Sequence, residues 1–284
     1  MAKISVDGID IAYEIIGDGK RTAIITPGGR FPKDTPGLKP LAEKLAEGGF
    51  RVVIWDRPNC GESDISFAGQ TESVMNADAL AGLLRALKFG PTLLIGGSAG
   101  SRVSLLAAIR HPDMVERLFL LWISGGAAGL AALAYYYCHD LLAAAAIGGM
   151  EAVAALPCWT ESLARNPGNR DRLLRQNVPA FIDKMQAWAA SFFPEKNSPV
   201  PGLVPSDLSA LKMPVMVLRS GQSDFSHPRA TSDAVHAMIP GSQIAEPPWG
   251  DREWIDRMQA QAKGEGLFAR WPLLAPQILE FARR

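Results

Sequence analysis

The stretch with the plainest chemical meaning is Gly96-Gly97-Ser98-Ala99-Gly100. A serine in a G-x-S-x-G pattern sits on a turn tight enough to push its hydroxyl outward, provided a strand precedes it and a helix follows. Both flanks are present. Thr92–Ile95 (TLLI) is a short apolar β run, and a helical pattern starts at Ser101 and reaches Arg110. The helix N-terminus favours negative charge developing beside Ser98. A Gly-rich turn with no chemistry is the plainer alternative, and the two flanking elements favour a nucleophile over it. Such a serine needs a base, and imidazole is the usual one because it titrates near neutrality. The chain has four histidines, at positions 111, 139, 227 and 236.

The elements that must hold these residues follow from hydrophobic patterning. Ile9–Ile16 reads as an N-terminal hairpin strand. Thr22–Thr26, Arg51–Asp56, Thr92–Ile95 and Arg117–Ile123 are short apolar runs, each cut off by a turn cluster or a helical segment. Pro40–Gly48, Val74–Leu87 and Ser101–Arg110 have helical spacing between them. Continuous apolar strands alternating with helices indicate parallel strands buried on both faces, hence a doubly wound, mostly parallel α/β sheet. Ligands of such a sheet bind at the carboxyl ends of its strands. The alternation stops between about residues 127 and 208, where Ala/Leu-rich helical stretches, Tyr135-Tyr136-Tyr137, Trp159 and Trp188 replace it. It resumes with a strand at Val215–Arg219, a helix at Pro228–Met238, a strand near Gln243–Ala245 and a last helix at Leu273–Ala282. The expected organisation is a core of residues 1–126 and 209–284 with an inserted helical cap, 127–208.

The sequence resembles the capped α/β-hydrolases. The resemblance rests on Thr26-Pro27-Gly28-Gly29, on Asp56-Arg57-Pro58-Asn59-Cys60-Gly61-Glu62-Ser63 and on Gly96–Ser101. The last stretch is closest to proline iminopeptidases, with Ala99 where those carry Trp. It implies an oxyanion hole built from the N–H groups of Gly29 and Ala99. It also implies an acid after the next-to-last strand, where Gly221-Gln222-Ser223-Asp224 makes Asp224 the candidate.

The departure comes at the base. The family carries Gly-His after the last strand, and this chain reads Trp249-Gly250-Asp251, with Asp251 in the histidine's place. His111 stands in a His-Pro pair at a helix end, His139 in the cap and His236 within a helix. His227 lies three residues after Asp224 on a loop expected beside the nucleophile. Triads are recognised by geometry rather than by sequence order, so His227 is the expected base, held by Asp224 or by Asp251. Arg30 offers a partner for a substrate carboxylate or a solvated loop cation, and Tyr136, Trp159 and Trp249 are candidates to line the pocket.

Composition narrows the rest. Lys+Arg and Asp+Glu both number 29, and this balance offers no field for nucleic acid or anionic membrane. Three widely spaced cysteines argue against a disulfide framework or a zinc site. The Met-Ala-Lys-Ile-Ser-Val start lacks a signal-peptide pattern, and the apolar run of residues 129–150 carries His139 and Asp140 at its centre. The expectation is a cofactor-free cytoplasmic enzyme, without metal or membrane, with a small-molecule substrate and possible self-association. Its expected chemistry is serine hydrolysis of a small, fairly apolar ester, lactone, amide or activated ketone. A lyase, decarboxylase or isomerase on the same scaffold is the alternative, motivated by the displaced histidine; a receptor without turnover is the third.

Overall fold

A computed structural model describes residues 2–283. β1 (Ala2–Val6) and β2 (Ile9–Ile16) form an antiparallel hairpin whose turn uses Asp7 and Gly8 at positive φ. β3 (Arg21–Thr26), α1 (Leu38–Glu47), β4 (Phe50–Trp55), α2 (Glu72–Ala86), β5 (Thr92–Gly97), α3 (Ala99–Arg110) and β6 (Val115–Leu121) then alternate as the patterning indicates. The inserted segment contains α4 (Gly126–Ala134), a π-turn (Tyr135–His139), α5 (Asp140–Ala154), α6 (Thr160–Arg165), α7 (Gly168–Leu174) and α8 (Val178–Ala190). After α9 (Pro205–Ala210) come β7 (Val215–Leu218), α10 (Arg229–Met238), β8 (Gln243–Ala245), α11 (Glu253–Ala262) and α12 (Ala275–Arg283). The sequence reading did not anticipate α11.

The eight strands form one sheet in the order β1-β2-β4-β3-β5-β6-β7-β8. β2 runs antiparallel to β4, and every pair from β4 to β8 is parallel. Successive side chains of a strand point to opposite faces, and this sheet buries both. Ile24, Val53 and Leu94 pack under α2 and α3 with Leu80, Leu83 and Leu105. Their neighbours Ile25, Ile54 and Leu93 pack under α1 and α12 with Leu41, Leu45, Ile278 and Phe281. Burial on two faces is why these strands read as unbroken apolar runs. The chain leaves β3 for β4 on one side and returns to β5 on the other, so β3 and β5 flank the point where winding reverses. Thr26 pairs with Gly96 there. This places Pro27–Arg30 beside Ser98, at the crevice where doubly wound sheets bind ligands.

The inserted helices have an apolar core of their own, in which Leu141, Val153, Leu173, Phe181, Met185 and Trp188 meet. Polar contacts fix the segment to the loops after β4 and β3. Asn169 accepts from Ile65 N–H (2.7 Å) and donates to Ser63 O (3.0 Å), and Arg165 pairs with Asp34 (2.7 Å). Gly126–Arg165 is long and apolar enough to cross a membrane by length and composition alone. It is kinked at Gly148 and Gly149, where the backbone leaves helical angles.

Candidate active site

Ser98 stands between β5 and α3 with φ 57° and ψ −121°. This backbone conformation is costly for a non-glycine residue, and such strain is tolerated where the surroundings over-determine it. Here Ser98 N–H donates to Leu121 O (3.1 Å), and Ser101 N–H donates back to Ser98 O (3.0 Å). The glycines allow close approach of neighbouring loops. A Cβ on Gly100 would lie 1.9 Å from Thr26 O, and one on Gly28 would lie 2.5 Å from Ser98 Cβ.

The loop after β3 is braced from beneath. Arg57 Nη2 donates to Gly28 O (3.2 Å) and also to Gly29 O. With both carbonyls turned toward the guanidinium, the amide face of the loop is left to the Ser98 side. Gly29 lines the same cavity as Ser98. Ala99 N–H opens α3 and has no carbonyl one turn behind it to donate to. These two amides are the pair that the resemblance implies for an oxyanion hole.

On the opposite side of Ser98, the loop between β7 and α10 carries both Asp224 and His227. His227 Nε2 lies 2.8 Å from Ser98 Oγ, and His227 Nδ1 lies 2.8 Å from Asp224 Oδ2. An ionised carboxylate only accepts, so Nδ1 carries the proton and Nε2 is left to accept from the serine hydroxyl. Asp224 Oδ1 accepts from Ser226 N–H (3.0 Å) and His227 N–H (2.9 Å). The turn that presents the imidazole is thus folded around the carboxylate it pairs with. Asp224 is 2% exposed, and each of its oxygens accepts two hydrogen bonds, as a buried charge requires.

The fourth of these bonds comes from a residue missed by sequence reasoning. Arg257 Nη2, on α11, donates to Asp224 Oδ2 at 3.1 Å. Its guanidinium lies 3.9 Å from the Trp122 ring centroid and 4.8 Å from that of Trp254. Its Nε is 3.1 Å from Glu253 Oε1, an ion-pair distance without hydrogen-bond alignment. Burial pushes the Glu253 carboxyl up to about 7, against the opposing pull of Arg257. Burial also lowers Arg257 from its usual range. The i,i+4 spacing of Glu253 and Arg257 was the available signal for this pair. It has no meaning for the site until α11 is folded back against the loop after β7.

A cavity of about 340 Å³ opens over Ser98 and His227. Its walls include Phe31, Trp122, Trp254, Met258 and Phe268 from the core and Leu133 and Tyr136 from the inserted helices. Tyr136 is therefore on the cavity, as expected of it, and its Oη accepts from Arg30 N–H (3.1 Å).

Four sequence expectations need correction. Asp251 does not reach the imidazole. Its side chain is 58% exposed and pairs with Arg229 Nη1 at 3.0 Å, because the chain turns outward at Gly250 before α11 begins. Trp159 does not line the cavity. It is fully buried in the core of the inserted helices, edge-on to Phe67 at 6.3 Å, because that small core needs its bulk. Trp249 packs 5.8 Å from Trp122, half-buried behind the cavity wall. Arg30 is not open to a substrate carboxylate. Its Nη1 and Nη2 donate to Tyr136 O and Tyr137 O (3.2 Å each), two carbonyls of the π-turn.

The remaining histidines lie elsewhere. His111 Nε2 meets Asp78 (2.7 Å), His236 Nδ1 meets Ser242 (2.8 Å), and His139 is exposed beside Asp140. Cys60 is buried, and burial pushes its thiol up to about 11, which leaves it a poor nucleophile.

Residues 35–135 match the family model described as alpha/beta hydrolase fold. Among curated proteins, the chain is 26% identical to the human serine hydrolase BPHL over 255 residues, 88% of this chain and 79% of that one. It is 28% identical over 124 residues to a Pseudomonas putida 2-hydroxy-6-oxononadienedioate/2-hydroxy-6-oxononatrienedioate hydrolase, a match spanning 43% of either chain. Among solved structures, the enol-lactonase of Burkholderia xenovorans superposes over the full length of both chains with a TM-score of 0.62 at 18% identity, a likeness of fold. Sheet order, strained elbow and relatives agree on an α/β-hydrolase fold for this chain.

Proposed function

We propose that this enzyme is a serine hydrolase with Ser98 as nucleophile, His227 as general base and acid, and Asp224 as the acid that orients the imidazole. The observation that carries the reading is the unbroken line from Ser98 Oγ through both ring nitrogens of His227 to Asp224, with 2.8 Å at each junction. Ser98 Oγ attacks the substrate carbonyl carbon as its proton passes to His227 Nε2. The negative charge that forms on the carbonyl oxygen is received by the N–H groups of Gly29 and Ala99. Collapse expels the leaving group, which takes the proton from His227, and water cleaves the acyl-enzyme by the same steps in reverse.

Residues 127–208 act as a cap in this reading, and residues 1–126 with 209–284 act as the catalytic core. Support comes from the separate apolar core of the insertion and from its Leu133 and Tyr136 in the wall over Ser98. The substrate is a small, fairly apolar molecule with an ester, lactone, amide or activated ketone carbonyl. An apolar cavity of about 340 Å³ accommodates one. Non-hydrolytic chemistry rested on the lack of an imidazole at the usual site, and an imidazole 2.8 Å from Ser98 Oγ removes that motive.

A fluorophosphonate probe combined with short-chain p-nitrophenyl esters tests the proposal. Labelling confined to Ser98 together with ester turnover is the expected result. Labelling without turnover would favour lyase or isomerase chemistry, and absence of both would return the chain to a binding role.

A further inference from the structure

We infer that the cavity over Ser98 selects neutral substrates and rejects carboxylate-bearing ones, a property that deepens the serine-hydrolase reading and rests on it. The lining of the cavity contains one charged side chain among the described residues, Arg257. That guanidinium is already matched. Asp224 Oδ2 lies 3.1 Å from Nη2, Glu253 Oε1 lies 3.1 Å from Nε, and Trp122 and Trp254 cover it with their rings. Asp224 alone cancels the charge of Arg257, and ionisation of Glu253 would leave the cluster at minus one. Burial pushes Glu253 up to about 7, so the cluster lies between neutral and negative around neutral pH.

Arg30, the other cation near the mouth, has both terminal nitrogens committed to Tyr136 O and Tyr137 O. A carboxylate entering this space would be stripped of water with no free cation to meet it, beside a cluster that is neutral or negative. A neutral polar group fares better. It has no formal charge to strip of water, and the rest of the wall is largely apolar, with Phe31, Leu133, Met258 and Phe268. The selection also suits the reaction, because hydrolysis turns a neutral ester into an acid that the same cavity then disfavours. The P. putida relative is named for dienedioates, which carry two carboxylates. This inference separates the present cavity from a site built for such dianions.

The test compares molecules that differ in charge and little in size. Dimethyl glutarate and monomethyl glutarate are titrated at pH 8 against the Ser98→Ala variant, which binds without consuming the diester, with Trp122 and Trp254 as intrinsic fluorophores in the cavity wall. The diester should bind at least about 30-fold tighter, as expected when an unpaired carboxylate must be desolvated. The p-nitrophenyl ester of monomethyl glutarate should exceed that of glutarate itself in kcat/KM by a similar factor. Equal binding, preference for the acid, or binding of neither would overturn the inference. If the diester binds preferentially but no ester is turned over, charge selection stands and the hydrolase reading falls.

Discussion

The two sides of Ser98 are built in different ways. On the elbow side, the geometry that presents the Ser98 hydroxyl lies mainly in backbone. Two short loops supply a strained residue at φ 57°, glycines that let Thr26 and Ser98 close in, and the two amides proposed for the oxyanion hole. On the base side, the reactive groups are side chains. Asp224 and His227 stand three residues apart on one loop, and Arg257 reaches them from 33 positions downstream. Backbone function requires particular residues at fixed local spacing, because few sequences tolerate that geometry. Side-chain function can be supplied from any element that folds to within reach, so its sequence position is free to move. In this chain the imidazole beside Ser98 stands on the loop that carries Asp224, and the segment where a histidine was expected supplies Arg257, which donates to that carboxylate instead.

The largest expected effects test whether the two sides form one catalytic unit. Ser98→Ala should remove at least about three orders of magnitude of kcat while the fold is retained, as for loss of a nucleophile. His227→Ala should cost nearly as much, and the double variant should cost little more than either single one. Steady-state kinetics with a circular dichroism control would decide. Near-normal turnover in either single variant, or multiplicative loss in the double, would break the unit.

The same contrast explains what was legible in the sequence. The strands β3, β4, β5 and β6 could be read because burial on both faces makes them continuous apolar runs between turns. Gly96–Gly100 was legible because its pattern fell between a strand and a helix. His227 was reached by elimination among four histidines, and its partner was left open between Asp224 and Asp251. α11 was missed because Pro247, Pro248 and Gly250 just before it read as a loop, which drew the residues that follow into the same reading. Trp159 and Trp249 were misplaced for a related reason. An aromatic in an apolar stretch looks the same whether it faces a ligand or a core, and in both places packing claimed it.

A second prediction concerns the support behind the acid. Glu253 has a folded-state value of about 7 against about 4.5 when unfolded. A carboxyl raised in the folded state keeps its proton longer when folded, so its favourable contribution is complete below about 4.5. That contribution is lost as the pH climbs through 7. Stability should therefore fall between pH 5 and pH 8, by up to about 3 kcal/mol from this group. Glu253→Gln, which keeps the volume and a hydrogen-bonding oxygen, should flatten that fall. Urea titrations at the two pH values would show it. An unchanged difference between them in the variant would mean that the buried carboxyl is not what couples α11 to pH.

The smallest expected effect is the most discriminating for the comparison of the two sides. Asp251 occupies the position at which the family resemblance implies a histidine, yet its carboxylate faces solvent on Arg229. Asp224 is buried with four hydrogen bonds. If function followed sequence position, Asp251→Asn would impair catalysis. If it follows geometry, the exposed pair with Arg229 is worth about 0–1 kcal/mol, and kcat/KM should stay within about twofold of wild type. Asp224→Asn should instead cost about three to four orders of magnitude, because the amide no longer fixes the tautomer that leaves Nε2 free to accept from Ser98. Measuring both variants on one ester separates the two accounts. A large loss at Asp251 with a small one at Asp224 would move the acid to the loop after β8 and undo the arrangement described here.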